Sequence, residues 1–336
     1  MEQITIKGTS IKASRVGLGT YAMGGIMWGG SDKQESIQTV LAAFEQGINL
    51  VDTAPAYGAG LAEEIVGKAI AQHGDRESII IATKVGLENR EGWFYRNSTK
   101  EQILKGIDES LKRLGTDYVD ICQVHWPDPL VPIEETAEAM NKLYKEGKIR
   151  AIGVSNYSVE QMERFRKVAP LHTLQPPYNM FERVVEQDIL PYCERHGTTM
   201  LMYGSLCRGL LSGKMRPDTQ FSGDDHRKID AKFKPPQYQE YLKTVELLDQ
   251  FAQKNYGKHV LDLAVRWVLD RTKLAIALWG ARRSDQLKTM DATMGWSLDS
   301  KAMASIDSII SQRIKDTKQT YIADTYCPGD RSTAKK

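Results

Sequence analysis

Four residues with acid–base chemistry lie at or just beyond the ends of three apolar runs. Asp52 ends the run 47–52 and Tyr57 follows it, while Lys84 ends the run 78–84 and His125 ends the run 118–125. Such runs are typical of parallel strands that are buried on both faces. The carboxyl ends of these strands meet at one edge, where parallel α/β folds carry out chemistry. We therefore expect the four side chains to converge.

These residue types suit proton transfer to a carbonyl oxygen. An unperturbed tyrosine has a pKa of about 10, and a buried ammonium beside it favours the phenolate and lowers that pKa. Asp52 can pair with Lys84 and keep it charged, while His125 can donate to a substrate oxygen and orient it. A carbonyl polarised in this way accepts a hydride. No side chain supplies one, so the chemistry implies a nicotinamide cofactor.

Taken singly, each of the four residues has a simpler structural interpretation. A strand-end aspartate often caps a turn, a tyrosine in a Gly/Pro loop is commonly structural, and Lys84 or His125 could serve only as a solvated or hydrogen-bonded group. Their occurrence at one end of three consecutive strands favours the functional interpretation. An aldolase with Lys84 as a Schiff-base amine is a further alternative. Asp52 beside that lysine argues for a charged, less nucleophilic amine.

The elements that must position these residues alternate between strand and helix along the chain. After a hairpin in residues 1–14, eight apolar runs are separated by amphipathic helical stretches, and the last run, 274–278, is followed by helices from Ser284 and from Asp299. This pattern predicts an α/β fold, an eight-stranded parallel (β/α)8 TIM barrel with extra C-terminal helices. The Gly- and Pro-rich stretch 204–236, after strand seven, is too long for an ordinary connection and is either a lid or disordered.

Composition limits the function classes further. The 336 residues suit a single domain, 1–336, with a tail, 316–336, that is expected to be mobile. Lysine and arginine number 45 against 43 acidic residues, so neither nucleic acid nor an anionic membrane is an expected partner. The four widely spaced cysteines predict no metal site and favour a reducing, cytoplasmic setting. No apolar run approaches the length of a membrane span.

From residue 16 to about residue 310 the sequence resembles an aldo-keto reductase. The resemblance rests on Asp52 in Asn-Leu-Val-Asp-Thr-Ala, Tyr57 in Ala-Tyr-Gly, Lys84 in Ala-Thr-Lys-Val and His125 in Gln-Val-His-Trp-Pro. It implies that these residues form the family's catalytic tetrad. In that tetrad Tyr57 is the general acid of reduction, Lys84 lowers its pKa, Asp52 supports Lys84, and His125 orients the carbonyl group.

The same resemblance implies an NADP(H) site, with NAD(H) as an open alternative. Ser155, Asn156 and Gln175 would hold the nicotinamide carboxamide, and Tyr203 would stack on its ring. Two further segments would hold the phosphates. The pyrophosphate segment contributes Gly204, Ser205, Leu206 and Arg208, and the adenosine-phosphate segment contributes Gly280, Arg282, Arg283 and Gln286. The two arginines suit a 2'-phosphate, and apart from the resemblance they could equally be solvated surface charges.

Three tryptophans in loops at the proposed catalytic end, Trp28, Trp93 and Trp126, are candidates for the wall of a substrate pocket. Each could instead simply pack a loop. The expected substrate is a small aldehyde, ketone, sugar or polyol, and a homo-oligomer is compatible with the sequence. Some proteins of the family serve as cofactor-sensing subunits of ion channels with little turnover, which is the alternative function.

Overall fold

A computed structural model describes residues 1–317 and 328–332. The chain begins with an antiparallel hairpin, β1 (Gln3–Thr5) and β2 (Lys12–Ser14). Eight parallel strands then close into a barrel. In the order in which they neighbour one another they are β3 (Val16–Gly19), β4 (Leu50–Asp52), β5 (Ile80–Val85), β8 (Ile121–Val124), β9 (Ile152–Ser155), β10 (Thr173–Gln175), β11 (Thr199–Met202) and β12 (Ala275–Gly280). The predicted fold class is therefore confirmed.

Nine helices of the described residues surround or extend the barrel. They are α1 (Lys33–Glu45), α2 (Leu61–His73), α3 (Lys100–Leu114), α4 (Ile133–Lys145), α5 (Val159–Arg166), α6 (Ile189–His196), α7 (Gln237–Tyr256), α8 (Val260–Arg271) and α9 (Ser300–Ser311). Their apolar stripes pack on the outer face of the strands in one large cluster. None of them is long and apolar enough to cross a membrane.

The barrel interior is filled by a second, smaller apolar cluster. Leu50, Ile80 and Ile121 of the strands meet Ile6 and Ile11 of the N-terminal hairpin there. Every second residue of a strand points inward, so residues two positions further along the same strands, such as Asp52, also face the interior. Hairpin side chains thus cover one end of the barrel interior, while the polar residues occupy the carboxyl ends of the strands.

Three features differ from the expectations or were not anticipated. A second hairpin, β6 (Leu87–Arg90) and β7 (Trp93–Arg96), follows β5. After β12 two short 3-10 turns, Ser284–Leu287 and Met290–Thr293, replace the predicted helix. In the tail, β13 (Gly329–Asp330) pairs with β7, so this part is ordered, whereas residues 318–327 and 333–336 lie outside the described residues.

Candidate active site

A buried ion pair between Asp52 and Lys84 lies at the base of the site. Lys84 Nζ donates to Asp52 Oδ1 at 2.8 Å, to Asp52 Oδ2 at 2.9 Å and to the carbonyl oxygen of Thr53 at 3.0 Å. These contacts use all three protons of the ammonium group. Burial lowers the pKa of Lys84, and the Asp52 carboxylate opposes that shift. Three acceptor oxygens around Nζ favour the charged ammonium over the neutral amine that a Schiff base requires.

Tyr57 and His125 lie beside this pair and are more exposed than it. Lys84 Nζ is 4.9 Å from the centre of the Tyr57 ring. The Tyr57 and His125 rings meet edge to face, with centres 5.9 Å apart and an interplanar angle of 82°. Both residues are partly exposed, whereas Asp52 and Lys84 are only 3% and 1% exposed. The structure thus brings the four predicted residues together, with Tyr57 and His125 on the more exposed side of the group.

The protonation of these two groups follows from burial and charge. Burial raises the pKa of Tyr57 well above its usual value, and the Asp52 carboxylate adds to the rise. This net direction is opposite to the expected lowering by Lys84, because the phenol is largely buried and Asp52 offsets the ammonium charge. Burial lowers the pKa of His125, and the Lys84 charge adds to that fall. Near neutral pH both groups can therefore donate a hydrogen bond, as phenol and neutral imidazole.

The residues expected to hold the nicotinamide form one hydrogen-bonded group. Asn156 has a φ of 61°, in the left-handed region that residues other than glycine rarely adopt. Its backbone N–H donates to the carbonyl oxygen of Gln175 at 3.2 Å, its Nδ2 donates to that of His125 at 3.2 Å, and its Oδ1 accepts from Tyr203 Oη at 2.9 Å. Ser155 Oγ donates to the same Gln175 oxygen at 2.8 Å. A residue that several hydrogen bonds hold in a strained backbone conformation is typical of a functional site.

Gln175 reaches from this group to the tetrad. Its Nε2 donates to Asp52 Oδ2 at 2.7 Å, across the barrel interior. The Asp52 carboxylate therefore accepts from Gln175 as well as from Lys84. The sequence placed Gln175 against the cofactor and gave no signal for this contact, because it joins strands that are far apart along the chain.

The predicted pyrophosphate residues open the loop after β11. These are Gly204, Ser205, Leu206 and Arg208. The Arg208 guanidinium pairs with the buried carboxylate of Asp230 and lies 3.7 Å from Glu182. Lys232 Nζ also donates to Glu182, at 2.9 Å. Arg208 thus anchors the loop through internal ion pairs, and a phosphate contact by its side chain stays a prediction.

The backbone of this segment is strained. Cys207, Arg208 and Gly209 have φ values of 47°, 53° and 88°. The N–H groups of Cys207 and Gly209 donate to the carbonyl oxygens of Gly204 at 2.7 Å and of Leu206 at 2.9 Å, which holds the turn together. Two adjacent residues other than glycine in this conformation indicate a functional constraint.

At the other end of the expected cofactor site, the two arginines make different contacts. The segment contributes Gly280, Arg282, Arg283 and Gln286. Arg282 Nη1 donates to the carbonyl oxygens of Trp28 at 2.9 Å and Gly30 at 3.1 Å. Arg283 is exposed and pairs with Asp285 at 2.9 Å. Gln286 Oε1 accepts from the backbone N–H groups of both arginines. Arg283 is therefore the more accessible of the two arginines.

The three predicted pocket tryptophans lie in different surroundings. Trp28 packs against Tyr21, with ring centres 5.8 Å apart, and Tyr21 in turn lies 4.9 Å from the Tyr57 ring. Trp126 is 8% exposed, which agrees with packing under a loop. Trp93 is 73% exposed on the second hairpin. Trp28 is therefore the tryptophan that Tyr21 connects to the Tyr57 ring.

Two loop residues that the sequence did not single out connect the mouth of the site. Asp224 accepts from the backbone N–H groups of Met27 at 2.7 Å and Gly29 at 3.0 Å. His226 Nδ1 bonds the Met27 carbonyl oxygen at 2.8 Å, and its ring lies 4.5 Å from that of Trp28. The loop after β11 is therefore ordered over the loop after β3. Irregular loops lack the periodicity that locates helices and strands, so no sequence signal was available for these two residues.

Within residues 1–317 and 328–332, no group of three or more His, Cys, Asp or Glu residues is placed to hold a metal ion. The groups that converge on the site are two hydrogen-bond donors, an ion pair and side-chain amides. This set is suited to organic acid–base chemistry on a carbonyl group.

Comparisons with known proteins agree with this chemistry. Aldo-keto reductase YhdN of Bacillus subtilis (strain 168) is 55% identical over 316 residues, which cover 94% of this chain and 96% of that protein. The NADH-specific methylglyoxal reductase of Escherichia coli (strain K12) is 35% identical over 315 residues, which cover 89% and 95% of the two chains. The solved structure of the glycerol dehydrogenase AKR11B4 from Gluconobacter oxydans matches with a TM-score of 0.87 and 47% identity, over 94% of this chain and 96% of that one.

The match is not limited to single motifs. The model of the Aldo/keto reductase family matches residues 15–311, which include all eight barrel strands and the four converging residues. Fold, site chemistry and sequence therefore lead to one conclusion: the chain belongs to the aldo/keto reductase family of oxidoreductase enzymes.

Proposed function

We propose that this enzyme reversibly transfers a hydride between NADP(H) and the carbonyl or hydroxyl carbon of a small molecule, with Tyr57 as the proton donor in reduction. The observation that supports the proposal is the convergence of Tyr57 and His125, both partly exposed, beside the buried Asp52–Lys84 pair. This arrangement lies at the carboxyl ends of the barrel strands, where active sites of such barrels are built.

The polar groups of the chain act on the carbonyl oxygen. Tyr57 Oη and a ring N–H of His125 donate hydrogen bonds to it and draw electron density away from the carbonyl carbon. When bound, a reduced nicotinamide would provide the hydride for that carbon. As the oxygen gains negative charge, the Tyr57 proton moves to it and leaves a phenolate. The Lys84 ammonium, 4.9 Å from the ring, stabilises the phenolate, and oxidation follows the reverse course.

The residues present fit a nicotinamide dinucleotide. Asn156, held in a strained conformation, and Gln175 offer amide groups that match the carboxamide of the nicotinamide. The strained turn at residues 207–209 marks the segment that we assign to the pyrophosphate. Arg283 offers a surface guanidinium for a 2'-phosphate, in competition with Asp285. We therefore propose NADP(H) as the preferred cofactor, although one relative at 35% identity is named as NADH-specific.

The proposed substrates are small oxygenated molecules. The names of two relatives refer to methylglyoxal and to glycerol, one a substrate of reduction and the other of dehydrogenation. Both kinds of molecule place a carbonyl or hydroxyl group within reach of two hydrogen-bond donors.

A panel of small aldehydes, ketones and polyols, assayed in both directions with NADPH or NADP+ and with NADH or NAD+, tests this proposal. We expect turnover of at least one small carbonyl compound, a preference for NADPH, and loss of that preference in Arg283→Ala. Equal use of NADPH and NADH by the wild-type enzyme would contradict the cofactor assignment. Tight NADPH binding without turnover of any compound would favour the cofactor-sensing alternative instead.

A further inference from the structure

Gln175 occupies the junction between two groups of the site. Its backbone carbonyl oxygen accepts from Ser155 Oγ at 2.8 Å and from the backbone N–H of Asn156 at 3.2 Å, which ties it to the nicotinamide side. Its side-chain Nε2 donates to Asp52 Oδ2 at 2.7 Å, which ties it to the acid–base side. The residue is 2% exposed, so water does not compete strongly for this contact.

The chemistry of the partner fixes the orientation of the Gln175 amide. An ionised carboxylate only accepts hydrogen bonds, so the amide nitrogen must face Asp52. The amide oxygen, Oε1, then points away from Asp52 and accepts no hydrogen bond from residues 1–317 or 328–332. A primary carboxamide such as that of nicotinamide carries the N–H donors that this oxygen lacks. One side chain can therefore bond the cofactor and the tetrad at the same time.

We propose that Gln175 is a positioning residue that couples the nicotinamide carboxamide to the Asp52–Lys84 pair. The inference rests on the proposed function, because it assigns a further role within that same site. When the carboxamide bonds Oε1, it fixes the plane of the amide and thereby the direction of the N–H bond to Asp52. That bond keeps the carboxylate turned so that both its oxygens face Lys84 Nζ.

The coupling acts on Tyr57 through charge. The Asp52 carboxylate raises the pKa of Tyr57, and the N–H of Gln175 compensates part of the negative charge on that carboxylate. Removing this donor leaves the negative charge stronger, which raises the pKa of Tyr57 further. The other titratable groups facing the phenol, or acting on Lys84 beside it, are those of Lys84, His125, Tyr21, Glu63 and Cys122. None of them changes when Gln175 is replaced.

The test compares Gln175→Met, which keeps the volume and removes the donor, with Ser155→Ala. Ser155 belongs to the same group of hydrogen bonds but forms no hydrogen bond with Asp52. The solvent deuterium isotope effect on kcat for carbonyl reduction is measured at neutral pH and saturating NADPH, together with the NADPH dissociation constant. A phenol with a higher pKa is a weaker proton donor, so proton transfer limits turnover more strongly. We expect Gln175→Met to lower kcat by up to about tenfold, which corresponds to one pKa unit, and to increase the solvent isotope effect.

Ser155→Ala is expected to weaken NADPH binding and to leave the solvent isotope effect unchanged. If both variants weaken NADPH binding and neither increases the isotope effect, the inference is overturned while the proposed function stands. If the wild-type enzyme turns over no carbonyl compound, the proposed function fails. The coupling is then read from NADPH binding, as the non-additivity of Gln175→Met and Asp52→Asn in a double-mutant cycle. Additive effects on the dissociation constant overturn the inference there too.

Discussion

Two buried threonines on the barrel strands illustrate how partners decide the energetic role of a residue. Thr83 Oγ1 donates to Glu63 Oε1 at 2.6 Å, and both residues are fully buried. Thr173 is equally buried, but its Oγ1 has no hydrogen-bond partner anywhere in the described part of the chain. It lies over Gly153, where an added Cβ would come within 2.2 Å of this oxygen. The same residue type is therefore stabilising in one strand and costly in another.

We predict opposite effects of the same substitution at these two positions. Thr173→Val removes a buried hydroxyl without a partner and is expected to raise the free energy of unfolding by about 1 kcal/mol. Thr83→Val removes a hydrogen-bond donor from a buried carboxylate and is expected to lower the free energy of unfolding by about 2 kcal/mol. Urea unfolding of both variants and the wild type measures the difference. Destabilisation by Thr173→Val would show that its hydroxyl is bonded in solution.

Single residues also show which part of the site could be read from the sequence. Asp52, Lys84 and His125 were located because each ends, or follows, a buried strand, and parallel strands bring their ends together. The direction of the Tyr57 pKa shift could not be predicted from the sequence, because it depends on the burial of the phenol and on how completely Asp52 offsets the Lys84 charge. The sum of these opposing effects depends on distances between groups, which the order of residues along the chain does not give.

At the scale of elements, the loop after β11 and the loop after β3 form the mouth of the site together. Asp224 and His226 bond the backbone of residues 27–29, and Arg282 bonds the carbonyl oxygens of Trp28 and Gly30. Burial lowers the pKa of His226 to about 4. Its ring is therefore neutral at neutral pH, so Nδ1 can carry the proton that it donates to the Met27 oxygen.

This loop contact predicts acid sensitivity. Between pH 4 and the ordinary histidine value of about 6.5, the unfolded chain binds a proton at position 226 that the folded chain does not. Stability therefore rises with pH across that window and is lost as the pH falls through it. The stability lost through His226 over the whole window is on the order of 3 kcal/mol, at about 1.36 kcal/mol for each pKa unit.

Urea unfolding at pH 4.5 and pH 7 tests the contribution of His226. We expect His226→Gln to lose less stability on acidification than the wild type does. His73→Gln, at an exposed position at the end of α2, serves as the matched control. Equal acid sensitivity of wild type and His226→Gln would mean that the loop contact does not depend on a neutral imidazole.

At the scale of the whole molecule, the barrel could be predicted because it repeats one pattern. Each buried strand, each glycine stop and each amphipathic helix supports the same alternation, so a local error does not change the fold. The second hairpin, β6–β7, and its pairing with β13 lack such repetition. Gly329 pairs with Tyr95 across more than two hundred residues of chain, and nothing local in the tail indicates that contact. The single-domain organisation and the mobility of the rest of the tail stay predictions.

In the proposed mechanism, the whole fold holds one phenol where a substrate, a cation and a hydride donor can meet. The most direct test is the single-turnover rate of NADPH oxidation by a carbonyl substrate, measured for wild type and Tyr57→Phe at saturating cofactor. The variant keeps the ring and loses only the proton. We predict nearly unchanged NADPH affinity and a rate lower by about 10²- to 10⁴-fold, the usual contribution of a positioned general acid. A rate close to that of the wild type would contradict the account.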